Sequence, residues 1–226
     1  MKRILATLLV CALLMSALLS LTSCGDASDS NFVEIKIKDY GTVVIEVYPD
    51  VAPETVANFL ALVDEGFYNG LTFHRIYPGF MIQGGDPSGD GTGGSPNTIK
   101  GEFSANGFEN NLSHQRGVVS MARSDDYDSA SSQFFICVDD ASASLDGNYA
   151  AFGEVVEGMD AVDKIVNYVS SNPYVLSGYS SYFANYYNYF QNLSKDELAQ
   201  TMVYLTNGAV LSEYQPKITS AKRVKR

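Results

Sequence analysis

The chain has 226 residues, 46% of them hydrophobic and 18% charged, which is enough for one domain with a sizeable core and too apolar for a disordered polymer. Its formal charge is −11, and the only charges before Cys24 are Lys2 and Arg3, so the remainder is two charges more negative. An acidic surface of this kind excludes nucleic acid as a natural partner, because phosphates call for clustered lysine and arginine.

Lys2-Arg3, the apolar run 4–21 and the small residues after it have the order of a targeting segment that stands outside the fold, residues 1–23. The apolar run is close to bilayer-spanning length, so an uncleaved anchor is the alternative. Residues 24–31 are short, small and polar, the composition of a tether. The folded unit is expected over residues 32–226. Cys11 lies in the leading segment, and the two cysteines beyond it, Cys24 and Cys137, are too few for a metal cluster.

Residues 32–38 and 42–48 alternate β-branched and polar side chains, so two strands are expected around Asp39-Tyr40-Gly41. Val56, Phe59, Leu60 and Val63 recur at helical spacing after Pro53, predicting an amphipathic helix over 53–65 that Gly66 stops. The run Phe73-His74-Arg75-Ile76-Tyr77-Pro78-Gly79-Phe80-Met81-Ile82-Gln83-Gly84-Gly85-Asp86 follows. It reads as two short strands about a Pro-Gly turn, presenting a guanidinium, large apolar groups and an amide within ten residues.

Next, Gly89-Asp90-Gly91-Thr92-Gly93-Gly94 satisfies G-x-G-x-x-G literally. No helix follows and Pro96 interrupts the place for one, so no dipole is available to hold a pyrophosphate. Residues 117–122, 133–138 and 151–156 are further strands, and Cys137 within them reads as a small buried hydrophobe. Met159, Val162, Ile165 and Val166 predict an inward helix face over 159–169.

Residues 170–211 are rich in Tyr, Ser and Asn. Tyr182, Phe183, Tyr186, Tyr187, Tyr189 and Phe190 recur as if on one helix. A second helix is signalled by the capping box Ser194 to Glu197, the stripe Leu198, Met202, Leu205 and the stop Asn207-Gly208. The pair suggests an αα-hairpin on the side of the fold. Residues 216–221 make a last strand, and Lys222 to Arg226 a solvated basic tail. His74 and His114 have no nucleophile elbow beside them and no metal-ligand spacing, so a Ser-His hydrolase is not expected, and His74 should face away from Arg75.

The run 73–86, together with Gly117-Val118-Val119-Ser120-Met121-Ala122, Ser132-Gln133-Phe134-Phe135-Ile136, and Leu145-Asp146-Gly147 with Phe152-Gly153, resembles the cyclophilin family of peptidyl-prolyl isomerases in order and register. The resemblance spans about residues 32–169 and resumes in the last strand. It implies a mainly β fold, a closed eight-stranded antiparallel barrel capped by two helices, here with a helical insertion at 170–211. It also implies a prolyl isomerase acting as a monomer on proline-containing polypeptides without metal or cofactor.

By the same resemblance Arg75, Phe80 and Gln83 form the catalytic set. Arg75 would hydrogen-bond the prolyl nitrogen, and Gln83 would orient Arg75 or the substrate carbonyl. Phe80, Met81, Phe135 and Leu145 would hold the proline ring, with Ala122, Arg123, Gln133 and Tyr149 along the groove. Arg123 and Tyr149 stand where many members have asparagine and histidine. Leu21-Thr22-Ser23-Cys24-Gly25 resembles a bacterial lipobox, which implies a diacylated Cys24 at the mature N-terminus. That would tether the domain to the outer or periplasmic face of a cell membrane, where it would assist exported proteins. A peptide-binding or chaperone lipoprotein without catalysis is the competing reading.

Overall fold

The structure is a computed structural model that describes residues 30–226; the targeting segment, Cys24 and most of the tether lie outside the described residues. Strands β1 (Phe32–Ile37) and β2 (Gly41–Val47) pair antiparallel about a turn in which Asp39 and Gly41 both take positive φ. Helix α1 (Pro53–Asp64) opens on its proline, whose missing N–H would be unsatisfied in a first turn anyway. It buries Val56, Phe59, Leu60 and Val63, the predicted face. Then come β3 (Thr72–Tyr77), β4 (Met81–Asp86), β5 (Val118–Met121), β6 (Phe134–Cys137), the one-turn α2 (Ser142–Leu145), β7 (Ala151–Glu157) and α3 (Met159–Ser171). With β8 (Ile218–Val224) the strands form one antiparallel sheet in the order β3-β4-β6-β5-β7-β2-β1-β8. Helices α1 and α3 cover the core that the curled sheet encloses, α1 against β8 and α3 against β2 and β3.

The regular ladder does not close. The sheet is a curled half-barrel with β3 and β8 at its ends, which corrects the expectation of a fully closed barrel. The outer edge of β3 is nevertheless paired, by two irregular segments. Pro216 to Ile218 bond Gly70, Leu71 and Phe73, and Gly208 to Val210 bond the far half of the strand. There Ile76 N–H donates to Gly208 O at 2.8 Å and Val210 N–H donates to His74 O at 2.9 Å. An unpaired edge would otherwise invite association with another chain.

The insertion departs from a simple helical hairpin. The aromatic run is two short helices, α4 (Tyr179–Asn185) and α5 (Tyr187–Phe190), broken at Tyr186. Phe190 reaches the core while Tyr186, Tyr187 and Tyr189 stay exposed, so the spacing that suggests one helix serves two. Helix α6 (Lys195–Thr206) has its capping box intact, Ser194 and Glu197 each satisfying the other's backbone N–H. It packs chiefly on α3 and ends with Asn207 in the left-handed region. The basic tail is likewise not free: Lys222 to Val224 belong to β8, and Arg223 donates to Asp64 Oδ2 on α1 at 3.2 Å.

Gly208 is the tightest point of this arrangement, at φ 71° and with Ile76 O only 2.6 Å from where a Cβ would stand. Gly208→Ala should therefore lower unfolding stability by roughly 1–3 kcal/mol, read as a shifted urea midpoint with unchanged slope.

Candidate active site

Strand β3 does not keep a single alternation. Phe73 pairs with Gly84 and Arg75 with Gln83, so His74 is an extra residue, a β-bulge. The bulge resets the phase: Phe73 and Ile76 both enter the barrel core, while Arg75 is delivered to the outer face opposite Gln83. On β4 and β6 the alternation is regular. Ile82, Phe134 and Ile136 point inward, and Met81, Phe135 and Cys137 build a second, smaller apolar cluster outside with Ala141 and Leu145. The sheet thus carries a core on one side and an apolar notch on the other.

The notch opens as a cleft of about 360 Å³ lined by Arg75, Phe80, Met81, Gln83, Ala122, Arg123, Phe135, Leu145 and Tyr149, which brings together nine of the ten residues singled out for catalysis or binding. Gly91 and Asn207 complete it. Gly91 sits in the glycine-rich loop, whose turn is held by backbone N–H groups of Ser88, Asp90 and Gly91 donating to the buried Asp86 carboxylate. Gln133, the tenth, lines an adjoining cleft of about 290 Å³ instead. Cys24 lies outside the described residues.

A chain of polar contacts runs through both clefts. Arg75 Nη1 donates to Gln83 Oε1 at 3.1 Å, Gln83 Nε2 donates to Gln133 Oε1 at 2.8 Å, and Gln133 Nε2 donates to the carbonyls of Gly91 and Gly93. Because an arginine can only donate and a backbone carbonyl can only accept, both amides are forced into one orientation. On its other side Arg75 donates through Nε to Asn207 O at 2.9 Å and through Nη2 to Asn207 Oδ1 at 2.8 Å. These three bonds leave two of the five guanidinium N–H groups for a ligand. Burial lowers the Arg75 pKa, but from so high a starting value that the group stays charged.

Arg123 does not stand as a free charge at the rim. Its guanidinium lies 4.7 Å from the Tyr149 ring centre, 4.8 Å from Tyr127 and 5.2 Å from Phe103, and it donates to the carbonyls of Asn148 and Ser124. Stacking and hydrogen bonding hold it as a wall between the clefts. Cys137 is fully buried, and burial pushes its thiol up to about 12, so it packs as an inert hydrophobe.

The histidines serve the scaffold. His114 lies between Asp146, with Nδ1 2.8 Å from Oδ1, and Ser120, with Nε2 3.0 Å from Oγ. This is the order of a hydrolytic triad, but Ser120 is 0% exposed and no substrate can reach its hydroxyl. The network instead stacks the imidazole beneath Phe135 and ties down the residue after Leu145. His74 is buried against the glycine-rich loop at Gly91, and its two ring nitrogens have no hydrogen-bond partner among the described residues.

The chain is similar to known proteins in both sequence and fold. Residues 32–177 match the family profile described as cyclophilin type peptidyl-prolyl cis-trans isomerase/CLD. A probable peptidyl-prolyl cis-trans isomerase of Brucella abortus is 47% identical over 152 residues, covering 62% of this chain and 73% of that protein. Peptidyl-prolyl cis-trans isomerase B of Bacillus subtilis is 44% identical over 131 residues, 58% of this chain and 87% of its own. In fold, the chain is similar to a Cryptosporidium parvum cyclophilin type isomerase crystallised in the presence of the dipeptide Ala-Pro, with TM-score 0.62 and 24% identity over 86% of this chain and 99% of that one.

Burial lowers the pKa of both histidines below 6.5, outweighing Asp86 and Asp90 near His74 and Asp146 beside His114. The unfolded chain therefore binds more protons just below that value, and stability is retained above about pH 6.5 and lost as pH falls through it. The slope should reach up to about 1.4 kcal/mol per pH unit for each histidine that stays neutral when folded. His74→Phe should remove one such contribution, flattening the acid limb of stability measured by urea unfolding between pH 7 and 5.

Proposed function

The chain belongs to the cyclophilin-type peptidyl-prolyl cis-trans isomerase family, and on that footing we propose how its own residues turn the bond before proline. Resonance gives this bond partial double-bond character and a barrier of roughly 18–20 kcal/mol. No bond need break, and no electrons change owner, so neither a nucleophile nor a Lewis acid is required. What lowers the barrier is stabilisation of the twisted state, in which conjugation is lost and the prolyl nitrogen holds a localised lone pair.

In this reading the proline ring sits on Met81, Phe135 and Leu145, with Phe80 and Tyr149 at its flanks. One side of the bond is thereby fixed while the other turns. A remaining N–H of Arg75 meets the prolyl nitrogen as it pyramidalises, and the guanidinium keeps its proton throughout. Gln83 holds the plane of Arg75 and aligns the substrate carbonyl. Ala122 and Arg123 offer backbone contacts to the running chain, and Gln133 acts one step removed, by fixing Gln83. The observation that carries the reading is a single one. A charged, half-buried guanidinium with free donors faces an apolar notch across one cleft.

The cellular setting belongs to the same proposal. The segment 1–23, the lipobox and the tether 24–31 suit a domain acylated at Cys24 and lifted off an extracytoplasmic membrane face, where exported polypeptides fold. Acyl chains would anchor it by burying their CH₂ groups, without spanning the bilayer. Among the described residues no helix is long and apolar enough to cross a membrane.

In a protease-coupled assay on an X-Pro peptide, Arg75→Ala should lower kcat/KM by about 10²-fold or more. Near-normal turnover by that variant would overturn the mechanism, and no turnover by the wild type would favour a peptide-binding lipoprotein. Cys24→Ala should move the protein from the detergent phase to the aqueous phase; partitioning that survives the change would sink the lipid anchor.

A further inference from the structure

We infer that Asn207, supplied by the helical insertion, is a positioning residue for Arg75, so that the excursion between α3 and β8 completes the isomerase site. The inference rests on the proposed role of Arg75. Its basis is the pair of bonds described above: one residue accepts from Nε with its backbone carbonyl and from Nη2 with its side-chain oxygen. Nε and Nη2 share one edge of the guanidinium, so the grip is bidentate and fixes the plane as well as the position. Gln83 holds the opposite end through Nη1. With one anchor the group could swing about its stem; with two it cannot.

The backbone is arranged to make that grip possible. Asn207 follows the last turn of α6 at φ 52°, one of two non-glycine residues with positive φ among those described. Asparagine tolerates this region better than most residues, and the turn aims both of its oxygens at Arg75. The next residues are fastened to β3 on either side of Arg75, through Ile76 N–H to Gly208 O and Val210 N–H to His74 O. The acceptor therefore cannot drift relative to the strand that carries the donor. Although the two residues are 132 apart in sequence, the segment that carries the acceptor is the one paired with the donor's strand.

Asn207→Gly tests this, since glycine suits the left-handed C-terminal position at least as well and deletes only the side-chain acceptor. The expected result is a loss of about tenfold in kcat on an X-Pro peptide, in the range for one hydrogen bond to a charged group. KM should stay within about twofold and the unfolding midpoint should not fall. In an Arg75→Lys background the same change should cost less than about twofold, because the edge it positions is gone. Wild-type kcat in the single variant, or an equal loss in both backgrounds, would overturn the inference. If Arg75→Ala itself turned over normally, the role of Arg75 and this inference would fail together; a dead Arg75→Ala beside a fully active Asn207→Gly would remove the inference alone.

Discussion

A guanidinium at the end of a three-carbon stem is charged at every accessible pH but has no fixed address. Its usefulness toward a weak, transient acceptor depends on being held still while remaining partly dry. Everything around Arg75 bears on that constraint. The bulge at His74 brings the side chain through to the outer face, Gln83 across the ladder takes one end, and Asn207 takes the other. The Gln83–Gln133–Gly93 relay then passes the restraint to the glycine-rich loop, so a motion of Arg75 would have to disturb four separate stretches of chain. Partial burial strengthens the field of the charge without threatening its protonation.

The notch owes its shape to the sheet beneath it. Phe134 and Phe135 are neighbours in sequence, yet one fills the barrel and the other floors the cleft. The inner core is thus the mechanical backing for the outer site. Below Phe135 the buried His114 and Ser120, joined to the exposed Asp146, supply a polar brace with each group satisfied, and a fully satisfied network is rigid where a partly satisfied one is a liability. The same side chains that could suggest hydrolysis to a reader of distances are, once burial is considered, part of the foundation.

Much of the fold was legible in the sequence because its signals are local. The helix at Val56 to Val63, the capping box at Ser194 and the stop at Asn207-Gly208 depend on residues within a few turns of each other. The candidate site was legible only in combination. Taken singly, Phe80, Met81, Phe135 and Leu145 have the look of core residues, and their order along the chain, matched to a family, set them apart. What escaped was long-range or register-dependent. A bulge leaves no mark in an alternating strand, and Tyr186 breaks a helix whose aromatic spacing runs on unaltered. Gln133 lies one cleft away from its expected position because it bonds the loop at Gly91 and Gly93. The tail at Lys222 to Arg226 reads as solvated by charge, although Arg223 finds Asp64 on a helix far back in the chain. Nothing near Asn207 in sequence announces that it touches Arg75.

The ends of the insertion also meet each other. Ser177 N–H donates to Ala209 O and Leu211 N–H to Val175 O, so the chain leaves and returns through adjoining irregular segments, the returning one paired with β3. A detour that begins and finishes at one seam imposes no strain on the body it departs from, and lengthening such a loop carries a penalty that grows only logarithmically. The seam thereby carries the chain out to α6 and back without displacing a strand, and the turn that ends α6 brings its amide to the arginine at the point of return.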